Sequence, residues 1–154
     1  MAHDALRYKY LAGNTTGIAV SYHNLGDYLL GYARQPAPAF ASHLATALIY
    51  ALSGAEGASD SVRAAATDLR EAGAGATPPA DAADLRRQLG DIPGTDLTRL
   101  LTEISPSADA TSQILRAQIA QAQALAETQP EDDQGDNQSV TNMAIWLTQS
   151  RLPS

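Results

Sequence analysis

Three histidines stand twenty residues apart along this chain, at His3, His23 and His43, and Asp27 lies one helical turn beyond the second. An imidazole beside a carboxylate can orient a proton acceptor for catalysis or prepare a ring nitrogen for a metal ion. In an antiparallel helical hairpin folded near residue 35, residue 43 falls opposite residue 27. Asp27 and His43 are therefore expected to meet, with His23 one turn away. More often such a contact is a polar pair at the edge of a groove, and that is the reading adopted, with no catalytic residue, no metal and no cofactor. Met1-Ala-His3 would chelate copper or nickel through the terminal amine only if Met1 were kept, and Ala at position 2 favours its removal. No G-x-S-x-G, H-E-x-x-H, G-x-x-x-x-G-K-[ST] or G-x-G-x-x-G motif occurs. The chain is expected not to be an enzyme.

The elements that would carry these residues follow from periodicity and stop signals. A first helix over about 3–12 carries Leu6 and Tyr10 and stops at Gly13. Thr15 or Thr16 caps a second, running to about Tyr32, in which Ile18, Tyr22, Leu25 and Leu29 recur on one face. Gly26 sits beside that face. A glycine costs a helix interior about 1 kcal/mol relative to alanine, so its use there points to close approach by another backbone. Pro36 and Pro38 open a third helix over about 37–53, apolar on both sides and so sandwiched between neighbours. Ser59 caps a helix with Val62, Ala65, Ala66 and Leu69 that ends at Gly73. A loop follows through Pro79, then a short helix marked by Leu85 and Leu89. Thr95 caps a helix with Leu97, Leu100, Leu101 and Ile104, and Ser105-Pro106 opens a long one to about Thr128 presenting Leu115, Ile119, Ala122 and Ala126.

The predicted architecture is all-α, with a helical body over 1–128, an acidic flexible linker over 129–139 and a short amphipathic helix and tail over 140–154. Val140, Met143, Trp146 and Leu147 form the stripe of that terminal helix. By random-coil scaling the linker reaches roughly 15–20 Å, enough for the stripe to dock on the body or on a second copy.

Composition narrows the function. The chain of 154 residues is 44% hydrophobic but only 5% aromatic, with a net charge of −7. That charge, with Lys9 the only lysine and the arginines scattered along the chain, argues against nucleic acid, whose phosphates demand clustered Lys and Arg. With no cysteine there is no disulfide, thiolate zinc site or cysteine nucleophile. The start of the chain lacks the layout of a signal peptide, and no run approaches the length of a membrane span. The expected setting is the cytoplasm, with no membrane partner.

The segment Tyr22-His-Asn-Leu25-Gly26-Asp-Tyr28-Leu29 resembles the first helix of a tetratricopeptide repeat (TPR), whose pattern runs W-x2-L-G-x2-Y, with Tyr22 in the place of the Trp and Leu29 in that of the Tyr. The likeness covers residues 15–53, one helix pair. Leu44, Ala47 and Leu48 meet the later part of the pattern, and the small slot falls on Ala39 or Ala41. The flavour is that of the last repeats of long bacterial, chiefly actinobacterial, TPR proteins. The resemblance implies a protein–protein interaction module whose first-helix inner face (Val20, His23, Asp27 and Leu30) binds a peptide or partner helix. His23 and Asp27 stand where chaperone-binding members carry Lys and Asn, so capture of an acidic C-terminal tail is not implied. The alternative is a structural, self-associating helical protein, for which helix 3–12 with no pairing partner and the doubly apolar helix 37–53 are the hints.

Overall fold

The computed structural model describes residues 2–90 and 95–128. Among them the chain is helical and has no strand. Its helices are α1 (Ala2–Leu11), α2 (Thr15–Gly31), α3 (Pro36–Ser53), α4 (Ala58–Ala72), α5 (Ala82–Leu89), α6 (Leu97–Ile104) and α7 (Ala108–Thr128), with one 3-10 turn at Gly73–Gly75. This is the all-α packing that the periodicity predicts. Residues 1–123 form one compact unit. A second begins at Ala124 and is described as far as Thr128, as helix. The linker over 129–139 and the terminal stripe Val140, Met143, Trp146 and Leu147 lie outside the described residues. No described helix is long and apolar enough to cross a membrane.

Helix starts fall within two residues of expectation, but other side chains cap them. Asn14, not Thr15 or Thr16, caps α2 by accepting from the Gly17 amide at 2.9 Å. Asp96, not Thr95, caps α6 through the Arg99 amide. Ser107 rather than Ser105 receives the Ala110 amide at the start of α7. Where Asn or Asp neighbours Thr, the carboxylate or amide oxygen is the better acceptor. α4 begins after Gly57, which holds a left-handed φ of 116°, so Ser59 lies inside the helix.

α3 is the centre of the unit. Its residues are buried without interruption from Ala39 to Ile49, so the expected sandwiching is present. α2 packs on one side and α4 on another, and α5 and α6 also touch it. Gln118 of α7 donates to the Ala47 carbonyl at 2.9 Å. The small side chains of α3 let neighbours come close enough for Thr46 to donate its hydroxyl to the Ala19 carbonyl of α2 at 2.8 Å. α1 is not the unpartnered helix expected from sequence. It packs on α2 with Leu6 fully buried and with Tyr10 edge-on to Tyr22, their hydroxyls 2.8 Å apart.

Candidate functional site: a histidine held between two aspartates

The α2–α3 hairpin brings Asp27 and His43 together as the residue count predicts: Asp27 Oδ1 is 2.9 Å from His43 Nε2. His23, one turn back on α2, lies with Nε2 3.5 Å from the other Asp27 oxygen. The His23 and His43 rings are 4.9 Å apart between centroids and tilted by 60°. The side chain of His3 is outside the described residues.

Gly26 explains how an imidazole fits inside this interface. A Cβ added there would lie 2.6 Å from His43 Nε2 and 2.8 Å from two ring carbons. The close approach inferred for this glycine is therefore made by the His43 side chain, not by another backbone. The missing methyl is the floor on which the ring rests.

The partner that sequence reading missed is Asp68 of α4. Fully buried, it sets Oδ2 2.5 Å from His43 Nδ1. Its Oδ1 is buried with no hydrogen-bond partner. Two turns toward the start of α4, Ser61 Oγ lies 3.4 Å from His23 Nδ1. Ser61, Ala65 and Asp68 are spaced i, i+4 and i+7, which sets them on one helix face. A charged residue in line with buried alanines was the signal available in the sequence.

Burial opposes a charge on His43, but hydrogen bonds and attraction from Asp68 and then Asp27 outweigh it and raise its pKa above the ordinary histidine value. Burial likewise raises the Asp68 carboxyl, against the pull of His43. The pair thus holds its proton firmly and titrates as a unit. With Nδ1–H donated to Asp68 and Nε2–H to Asp27, both ring nitrogens of His43 are satisfied.

The four residues expected on a binding face differ in accessibility. Val20 is 43% exposed and the Asp27 side chain 60%, whereas His23 is one-third exposed and Leu30 half-buried. Sequence reading did not single out Tyr28 and Tyr32, which are 52% and 83% exposed and stacked with centroids 5.6 Å apart.

Comparison with protein-family models, with curated proteins and with solved structures finds no match to this chain.

Proposed function

We propose that this chain is a non-catalytic interaction module of TPR type, which takes a peptide or partner helix on the exposed face of α2. The observation that carries the reading is exposed apolar surface on that helix and at its end, Val20 and the stacked Tyr28–Tyr32 pair, with the exposed carboxylate of Asp27 on the same helix. Aromatic side chains that lose little conformational freedom on binding make good anchors. An exposed carboxylate on a chain of net charge −7 favours a partner segment carrying Lys or Arg among its apolar residues.

Partner capture by the wild-type chain and by Val20→Glu/Tyr28→Ala tests this. Both positions are exposed, so the fold is retained, and the double variant is expected to lose the partner. Capture that survives it removes this face from consideration. Self-association is the second reading, favoured by Leu11 at 85% and Tyr8 at 69% exposure on α1. Light scattering separates the two: a monomer supports the module, and an obligate oligomer supports self-association.

A further inference from the structure

We propose that His23, Asp27 and His43 form a binding site for one divalent transition-metal ion of the zinc class, ligated through Nε2 of both histidines and a carboxylate oxygen of Asp27, with a fourth position open. The inference does not rest on the partner-binding reading.

Spacing is the first ground. The three donor atoms lie within 4.8 Å of one another, and the Asp27 oxygens stand 2.9 and 3.5 Å from the two ring nitrogens. Ligands about 2.0–2.1 Å from a common ion are separated by roughly 2.9–3.4 Å as their angle at the metal opens from a right angle to tetrahedral. His43 and Asp27 are already in that range. His23 Nε2, 3.5 Å from the other Asp27 oxygen and one-third exposed, has to draw closer for the ion to bind.

The outer ring nitrogens are the second ground. A metal-bound imidazole nearly always gives its other N–H to a carboxylate or another polar oxygen, which fixes the tautomer and the ring plane. Here His43 Nδ1 faces Asp68 and His23 Nδ1 faces Ser61, so one face of α4 holds the outer nitrogen of both rings. Each Nε2 is left pointing toward Asp27.

Charge is the third. With both imidazoles neutral, the Asp27 and Asp68 carboxylates carry −2, which a divalent ion cancels. Any proton on His43 Nε2 passes to water as the ion binds, and Asp68 stays bonded to His43 through Nδ1. Two imidazoles with one carboxylate suit zinc, cobalt, nickel or ferrous iron rather than calcium or magnesium, which take oxygen ligands. Asp27 and His23 open the site to solvent, which gives the ion a way in.

The metal-free full chain, titrated with Co2+ and followed by visible absorption, tests the site, with native mass spectrometry reporting stoichiometry. One Co2+ per chain is expected, displaced by Zn2+. His23→Ala, at a partly exposed position, is expected to keep its helical circular dichroism and to weaken binding by more than tenfold, about the size of a lost ligand or more. Asp68→Asn, which keeps the shape but alters the support of His43, is expected to cost about 10–100-fold in affinity. His3→Ala is expected to bind like the wild type. Absence of Co2+ binding, His23→Ala binding within tenfold of wild type, or loss of binding in His3→Ala would each overturn the proposal. If Asp68→Asn does not fold, His23→Ala and His3→Ala still decide it.

Discussion

α2 meets a polar cluster on each flank, and the two are built differently. On the α1 side, Tyr10 and Tyr22 are neutral phenols that share one hydrogen bond and turn ring edges to ring faces. On the side of α3 and α4, one imidazole is enclosed by two carboxylates, one of them fully buried with an oxygen unmatched. The tyrosine pair meets its own polar needs and contributes packing area. A helix interface that only has to hold together does not require two carboxylates around one ring. Hydrophobic residues of similar volume often serve as well as, or better than, a buried ion pair. The two flanks thus differ in how their polar groups are satisfied: one pair within itself, the other with a buried carboxylate oxygen left over.

The sharpest way to break this contrast is His43→Ala. It strands Asp68 with neither oxygen bonded, and a loss of about 3–5 kcal/mol is expected from urea denaturation. His43→Leu/Asp68→Leu removes both charges and should recover most of that loss; if it does not, the ion pair is a net source of stability. Next in size is Gly26→Ala, whose methyl collides with the His43 ring. About 2–3 kcal/mol should go, despite alanine's better helix propensity, because the ring is pinned at both nitrogens. On the other flank, Tyr10→Phe removes one largely sheltered hydrogen bond, worth about 1 kcal/mol in the same assay.

That flank also carries its own pH response. Unfolded, both phenols ionise near 10. Folded, burial pushes Tyr22 up to about 12 and Tyr10 well above its ordinary value, with its neighbour and Asp96 adding to the Tyr10 shift. The stability from this pair is therefore complete below pH 10 and declines as the pH rises from about 10 toward 12. Tyrosinate absorbance coming up together with the loss of helix would show it, and Tyr10→Phe should blunt it. The smallest effect is expected at Arg34, whose φ of 56° lies in the left-handed region that side chains disfavour. Arg34→Gly should raise stability by about 0.5–1 kcal/mol, seen as a small rise in Tm.

The α2–α3 hairpin was legible because everything that fixes it is local: a four-three-four apolar stripe, two prolines and a count from the turn. That count sufficed to put Asp27 against His43 across sixteen residues. Asp68 was not legible. Twenty-five residues separate it from His43, and how α4 rotates against α3 depends on the fit of Val62, Ala65 and Ala66 into the core, not on any pattern inside α4. The reason for Gly26 was half legible, since a gap in a helix announces that something enters it but not what. The pairing of α1 with α2 escaped notice because Leu6 and Tyr10 alone do not define a stripe. The caps slipped by a residue or two wherever several hydroxyl, amide and carboxylate side chains stood in a row.

The unbroken burial from Ala39 to Ile49 has a consequence in time as well as in space. Backbone amides exchange with deuterium only when a segment opens to water, and a helix with no solvent-facing side has no local way to open. The amides of this run should therefore exchange only when the whole unit unfolds, whereas exposed turns such as Gly13 exchange by fraying. His43 sits in the middle of that run. Its imidazole is thus expected to sit on the run slowest to open among the described residues, leaving His23 and Asp27 to do whatever adjusting the cluster requires.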